Sequence, residues 1–262
     1  MKLLRCLYKD YPRFAALLED NKIQFLASDP LDGQIEFARE STTLDQVTLL
    51  PPIQPPNILA IGTNYLGHIH ETGAPIPDHP LLFIKATSAI TACNMPIKLP
   101  KMAPNEVDFE GELAVVIGKT ASNVSQENAL DYVLGYTIAN DVTARDCQKK
   151  LDRQWARAKS FDTFCPLGPW IETQLDPTNL RITTKLNGQV MQDESTDKLI
   201  FNVSFLISYL SQAMTLLPGT VILTGTPDGV GMARNPPVFL KPGDVVEITI
   251  DGIGTLHNVV TD

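Results

Sequence analysis

Four carboxylates fall on alternate positions in Glu106-Val107-Asp108-Phe109-Glu110-Gly111-Glu112-Leu113-Ala114-Val115-Val116. Side chains alternate along a strand, so this spacing puts Glu106, Asp108, Glu110 and Glu112 on one face and Val107, Phe109 and Leu113 on the other. A solvated edge strand with protective charge has this pattern. So does a cation site. The ladder runs straight into an apolar segment, where unpaired carboxylates are costly, and a divalent ion that prefers hard oxygen ligands, such as Mg²⁺, Mn²⁺ or Ca²⁺, removes that cost. A further carboxylate, Asp141, follows the apolar run Val133 to Ala139 in Ala139-Asn140-Asp141-Val142-Thr143-Ala144-Arg145-Asp146. It reads either as a third ligand at a strand end or as a helix N-cap, a role open equally to Thr143.

The segment Gly62-Thr63-Asn64-Tyr65-Leu66-Gly67-His68-Ile69-His70-Glu71 offers acid–base chemistry. If it is helical from Tyr65, His68 and Glu71 are neighbours at i and i+3, and the carboxylate can orient the imidazole as a general base. The plain alternative is a structural surface pair. Ligation by His68 and His70 lacks a third nitrogen or sulfur donor. Between Arg145 and Lys159 six cations stand against two acids, a local excess of four charges in a chain of net charge −9. That segment is either a solvated helix or a source of cations for an anionic substrate. The loop Leu223-Thr224-Gly225-Thr226-Pro227-Asp228-Gly229-Val230-Gly231 lacks both the P-loop ending and the Gly-x-Gly-x-x-Gly spacing of a dinucleotide site. It reads as a tight turn or as backbone that approaches a small anion.

These residues must be positioned by strands. Ile58–Ile61, Leu81–Ile84, Leu113–Ile117 and Val221–Leu223 are apolar runs of strand length, and Asn187-Gly188 has the residues of a type I′ hairpin turn. Asp251-Gly252 offers a second turn. Short strands are expected up to about Leu50, with Leu18 and Ile23-Gln24-Phe25 flanking a turn at residues 19–21. Pro51-Pro52 and Pro55-Pro56 then form a rigid connector. Helices are expected around Gln126 to Val133, Thr143 to Arg157 and Val203 to Met214, the last with Phe201, Phe205, Leu210 and Met214 on its apolar face. No regular alternation of helix and strand is present, which disfavours a doubly wound sheet.

Composition narrows the partners. With 262 residues, 44% hydrophobic and 19% charged, the chain can build a sizeable core. Its net charge of −9 argues against a nucleic-acid or anionic-membrane partner. Lys2, Arg5, Lys9 and Arg13 sketch a basic targeting segment, but Asp10 interrupts it and a short strand is expected instead. The uncharged run Leu199 to Pro227 is cut by Pro218-Gly219 and reads as a helix and a strand, not a membrane span. Cys6, Cys93, Cys147 and Cys165 form no CxxC pair, as expected for a reducing, cytoplasmic protein.

In order along the chain, several motifs resemble the fumarylacetoacetate hydrolase superfamily. They are Gly62-Thr63-Asn64-Tyr65 with His68 and Glu71, Phe83-Ile84-Lys85, Asp108 to Val116, Asn140 to Asp146, Lys159-Ser160-Phe161-Asp162-Thr163-Phe164, and Thr224-Gly225-Thr226-Pro227. The resemblance runs from about Asn57 onward, and Met1-Lys2-Leu3-Leu4-Arg5 is similar to the opening of the small N-terminal domain of bacterial members. Asn235 to Asp244 is similar to the subgroup of oxaloacetate tautomerases and 2-hydroxyhepta-2,4-diene-1,7-dioate isomerases. The resemblance implies an α+β, mainly β fold: a mixed β-sandwich roll over residues 51–262 with few helices, preceded by a small β-rich domain over residues 1–50. It implies Glu110, Glu112 and Asp141 as ligands of Mg²⁺ or Mn²⁺, with Ca²⁺ as a substitute. It also implies His68 and Glu71 as a dyad that orders over the substrate, Lys159 at the reacting end, Lys85, Arg145, Gln148 and Thr226 around the substrate, and a homodimer. Two departures stand out. Thr63-Asn64 offers no acid where the larger hydrolases place an additional aspartate ligand, and Ala86 stands where proline is common.

A 2-oxo acid can chelate a divalent ion through its C1 carboxylate and C2 carbonyl, and the ion then stabilises the enolate. Three outcomes share that enolate. The expected reaction is tautomerisation or isomerisation of an oxaloacetate-like 2-oxo dicarboxylate. The alternatives are a carbon–carbon hydrolase of acylpyruvate or fumarylpyruvate type, an oxaloacetate decarboxylase, and, in another class, a noncatalytic module that binds a small anion.

Overall fold

Every residue of the strand Gly111–Ile117 is buried, so the strand must be covered on both faces and flanked on both sides. A computed structural model, which describes residues 1–262, places it deep in a mixed twelve-stranded sheet. From one edge the main path runs Phe37–Thr43, Lys22–Leu26, Tyr11–Leu17, Lys2–Tyr8, Cys165–Glu172, Val133–Asn140, Gly111–Ile117, Val221–Leu223, Ile58–Gly62 and Leu81–Lys85. Thr48–Leu50 pairs with Lys2–Tyr8, and Ile90–Ala92 with Cys165–Glu172. A second sheet of five strands runs Gln189–Ser195, Arg181–Leu186, Val245–Ile250, Gly254–Thr261 and Ile97–Lys98. The two sheets share one hydrophobic core. A small additional cluster of Leu4, Cys6, Ala15, Ile23 and Phe25 lies under the N-terminal strands. The fold is mainly β, as the sequence implies. At Gly111 a side chain would collide with Thr184 and crowd Ile248, so a residue without a Cβ lets the second sheet close on the first.

Strand direction gathers the functional segments. Val221–Leu223 runs parallel to Ile58–Gly62 and antiparallel to Gly111–Ile117, which is itself antiparallel to Val133–Asn140. The exits of three strands and the start of the fourth therefore share one end of the sheet. There the chain delivers Thr63, Glu110, Glu112, Asp141 and Thr226.

Asn187 (φ 52) and Gly188 (φ 80) make the expected hairpin turn, and Asp251–Ile253 connects another antiparallel pair. Leu66–Thr72 (α1) is helical and is stopped by Gly73 in the left-handed region. Val203–Ala213 (α2) is capped by the Asn202 side chain, which accepts from Phe205 N at 2.9 Å. No helix is long and apolar enough to cross a membrane.

Three expectations need correction. The helix from Thr143 to Arg157 is replaced by a short strand, Thr143–Ala144, paired with Val107–Asp108, and then by a π-helical turn over Cys147–Leu151. Arg145 N is held by Glu106 O at 2.8 Å, which fixes that short pairing. The buried face of α2 is Val203, Leu206, Ile207 and Leu210. Phe201 and Phe205 lie at its margin, where the Phe205 ring lies between those of Phe201 and Tyr209 at 5.2 and 6.0 Å. The acidic ladder is not one strand. Pairing breaks at Phe109-Glu110, where Phe109 N donates to Asp108 Oδ1 and Glu110 N to Asn140 Oδ1.

Candidate active site

That break decides where each carboxylate goes. Glu106 stays near the surface and pairs with Lys150. Asp108 turns inward, accepting from Gly231 N at 2.8 Å, Met232 N at 3.0 Å and Arg145 Nε at 2.9 Å. Glu110 and Glu112 meet Asp141, each offering an oxygen within 4.8 Å of the others, and all three are buried. The ladder therefore yields two members of a buried carboxylate triad and one support for its neighbour, a split that alternation alone does not reveal.

Three cations surround the triad. Lys159 Nζ donates to Glu110 Oε2 and Asp141 Oδ2, both at 2.6 Å. Arg145 is fixed by three acceptors: Asp108, Gln148 Oε1 at 2.9 Å and Glu110 Oε1 at 2.7 Å. Lys85 reaches Asp141 Oδ1 at 2.5 Å. Burial opposes ionisation of Glu110, but Lys159 and Arg145 outweigh it and hold the carboxyl well below the usual range. Glu112 is different. It accepts from Gly225 N at 2.7 Å, and no cationic side chain lies within 4.0 Å of it. Burial, Asp141 and Glu110 push its carboxyl well above the ordinary range. Counting Asp108, four carboxylates face three cations, and the shortfall falls at Glu112. A hard dication relieves that imbalance, and each carboxylate oxygen keeps a second lone pair for it beside the bonds to Lys159 and Arg145. The donor set fits a divalent ion.

Beside the triad is a cavity of about 280 Å³, at the small end of ligand sites, so it suits a small molecule. Five of its eighteen lining residues are hydrophobic, which favours a polar ligand. His68, Glu110, Glu112, Asp141, Arg145, Gln148, Lys159 and Thr226 line it. The remaining two expected site residues lie behind that lining. Glu71 backs His68, with Oε1 2.8 Å from Nδ1. Lys85, expected beside the substrate, is 1% exposed and does not line the cavity. Its ammonium is enclosed behind Asp141 and also donates to Val142 O at 3.4 Å. The geometry makes it a counter-charge that positions Asp141.

The glycine-rich loop does approach anions, but they are the protein's own. Its N–H groups serve Glu112 (from Gly225), Glu71 (from Gly229, 2.7 Å) and Asp108 (from Gly231 and Met232). One loop thus joins the dyad to the carboxylate cluster. Gln192, on the second sheet, clamps that loop. Its Nε2 donates to Thr226 Oγ1 at 2.7 Å and Pro227 O at 2.8 Å, while its Oε1 accepts from Gly111 N at 2.9 Å. Asn64 ties the start of α1 to Phe201 and Thr224. Gln192 carries no local signal in the sequence, because its partners are 34 to 81 positions away, and Asn64 is visible only as part of its motif, its own partners being 137 and 160 positions away. At Gly229 (φ +104) a Cβ would strike Met191 O. Gly229→Ala is therefore expected to cost about 3 kcal/mol or more of stability and to lower kcat, measured by thermal unfolding and steady-state turnover.

A buried carboxylate triad ringed by fixed cations, with a histidine–carboxylate dyad across a small polar cavity, has the parts of an enzyme for acid–base chemistry on a small anion. The chain belongs to the fumarylacetoacetate hydrolase family. Residues 57–261 match the family described as fumarylacetoacetate (FAA) hydrolase C-terminal, and residues 1–52 match that described as Rv2993c-like, N-terminal. The mitochondrial oxaloacetate tautomerase fahd2 of Xenopus laevis is 48% identical over 219 residues, covering 82% of this chain and 68% of that protein. Two solved structures superpose over 100% of the chain. One is 5-carboxymethyl-2-hydroxymuconate delta-isomerase from Mycobacterium smegmatis (TM-score 0.91, 44% identity, 99% of that chain covered). The other is 2-hydroxyhepta-2,4-diene-1,7-dioate isomerase from Mycobacterium marinum (TM-score 0.89, 43% identity, 98% covered).

Proposed function

We propose that the enzyme is a divalent-ion-dependent tautomerase or isomerase of a small 2-oxo dicarboxylate, with oxaloacetate as the leading substrate. The observation that carries this reading is Glu112, a buried carboxylate packed against two others without a cation of its own, on the wall of the cavity that His68 faces. The relatives named as an oxaloacetate tautomerase and as isomerases of 5-carboxymethyl-2-hydroxymuconate and of 2-hydroxyhepta-2,4-diene-1,7-dioate support the reaction class. Mg²⁺ or Mn²⁺ suits the all-oxygen donor set. Four free, buried cysteines fit a cytoplasmic setting, and a homodimer is the assembly we infer from the family.

A divalent ion held by Glu110, Glu112 and Asp141 supplies Lewis-acid polarisation to the 2-oxo group. The remaining work belongs to side chains. Glu71 accepts from Gly229 N and from His68 Nδ1, so the imidazole carries its proton on Nδ1 and presents the Nε2 lone pair. That nitrogen takes the proton from substrate C3 and returns it to the other position of the keto–enol pair. Arg145 and Lys159 hold Glu110 ionised, and Lys85 and Lys159 fix Asp141.

Carbon–carbon hydrolysis is the second reading, and the dyad is the feature that favours it, since Nε2 can equally take a proton from water. Oxaloacetate and an acylpyruvate, followed in parallel for enol loss and for cleavage products with Mg²⁺ present, separate the two. Rapid loss of the oxaloacetate enol without cleavage is the expected result. Cleavage of the acylpyruvate with no effect on the oxaloacetate enol would overturn the tautomerase reading.

A further inference from the structure

Arg145, Gln148 and Lys149 stand at i, i+3 and i+4 on the turn that leads into Cys147–Leu151, and all three line the cavity. The cations around the cavity are not equally free. The Arg145 guanidinium is occupied on all three nitrogens by Asp108, Gln148 and Glu110. Lys159 is matched by two carboxylates, and Lys85 lies behind Asp141. Lys149 is the one cation on the cavity wall with no carboxylate within 4.0 Å and no hydrogen-bond partner. Its side chain starts from a π-helical turn, a distortion that recurs at functional sites because it re-aims the residues it carries. The adjacent Lys150 points elsewhere, to Glu106 at the surface.

We propose that Lys149 is the specificity-determining residue that pairs with the substrate carboxylate remote from the 2-oxo group. This rests on the function proposed above and deepens it. When C1 and C2 of a 2-oxo dicarboxylate lie at the carboxylate triad, the second carboxylate extends across the cavity and needs a counter-charge that the protein has not already spent. Partial burial and the neighbouring Arg145 and Lys159, opposed by Glu110, hold the Lys149 ammonium below its ordinary range, and an incoming carboxylate supplies the counter-charge it lacks. A lysine on a flexible stem also accommodates dicarboxylates of different length, which a fixed guanidinium cannot do. Lys149 is exposed, and its replacement should leave the fold intact.

The test compares wild-type, Lys149→Gln and Lys149→Arg proteins loaded with Mg²⁺. The KM for oxaloacetate and the inhibition constant for oxalate, whose two carboxylates can both engage the ion and leave none remote, are measured on each. Lys149→Gln is expected to raise KM about 10- to 100-fold with kcat held within about threefold, the signature of lost binding shared by ground and transition states. Oxalate inhibition should stay within about twofold, and Lys149→Arg should recover most of the KM. An unchanged KM in Lys149→Gln, or equal weakening of oxalate and oxaloacetate, would overturn the assignment while leaving the tautomerase reading in place. Absence of wild-type turnover on oxaloacetate would overturn both.

Discussion

Glu112→Gln is expected to abolish divalent-ion binding, to slow turnover by about 10³-fold or more, and yet to unfold at a higher temperature than the ion-free parent. The first two effects follow from removing a charged oxygen donor from a three-carboxylate cluster. The third follows from what that donor costs in the absence of an ion. Glu112 is buried against Glu110 and Asp141 with one backbone N–H as its hydrogen-bond donor, so an uncharged side chain of the same shape removes a repulsion at little loss of packing. A gain of about 1–3 kcal/mol corresponds to roughly 3–10 °C for a chain of this size. The gain also has a pH signature. The folded-state pKa of Glu112 is raised, so its protonation contributes stability that is fully present below the unfolded carboxyl range, near ~4.3, and is lost as pH rises toward the raised folded value. The stability gap between variant and parent therefore opens from acid to neutral pH. Melting curves with chelator across that range check it. Excess Mg²⁺ or Mn²⁺ should then close or reverse the gap, because the ion stabilises only the protein that binds it.

His68→Ala is the second large effect, and its pattern is the opposite. Loss of a positioned general base lowers kcat by about 10²- to 10⁴-fold. Ion affinity should stay within about threefold, since His68 contacts Glu71 and belongs to a different element from the three ligands. The pair of variants thus separates two halves of the site: one loses the ion and the chemistry together, the other only the chemistry. Turnover and ion titration on the same preparations read both, and unchanged turnover in His68→Ala would remove the imidazole from the mechanism.

Those two halves were unequally legible in the sequence. The carboxylate run beside an apolar strand poses an electrostatic problem visible in one dimension, but the choice of Glu110, Glu112 and Asp141 from among these acids comes from the family resemblance, since alternation treats Glu106 and Asp108 alike. The His68–Glu71 spacing was legible for a similar reason, as a helix brings i and i+3 together whatever the rest of the fold does. Strand runs and the Asn187-Gly188 turn followed from local periodicity and turn chemistry. What failed was continuity. The period-two reading of residues 106–116 assumed one unbroken strand, whereas the Asp108 and Asn140 side chains take over backbone hydrogen bonds and turn the chain at Phe109-Glu110. A helix was expected through Thr143 because its partner strand, Val107–Asp108, is only two residues long and gives no independent signal. The apolar face of α2 differs from the expected one because Phe205 stacks between Phe201 and Tyr209 at the margin of the core, while Leu206 and Ile207 enter it. Gln192 and the loop amides act on residues 34 to 158 positions away, and no local pattern encodes such contacts.

The departure at Thr63-Asn64 now has a structural content. Asn64 is fully buried and spends its amide on Phe201 and Thr224, so this position fastens α1 to the sheet and contributes no acid to the cavity. A site with three carboxylates and a small cavity is suited to a compact 2-oxo acid. At position 86, where proline is common, Ala86 keeps a backbone N–H that donates to Ser160 Oγ at 2.9 Å, a bond that proline cannot make.

The central claim is that the carboxylate triad with its ion and the His68–Glu71 dyad together move the C3 proton of a 2-oxo dicarboxylate. The most direct measurement is the rate at which oxaloacetate exchanges its C3 protons with deuterated solvent, followed by NMR together with decay of the enol absorbance. With Mg²⁺-loaded enzyme both rates should rise well above background without release of CO₂ or cleavage products, and chelator should return both to background. Exchange that stays at the uncatalysed rate with the ion-loaded protein would contradict the account.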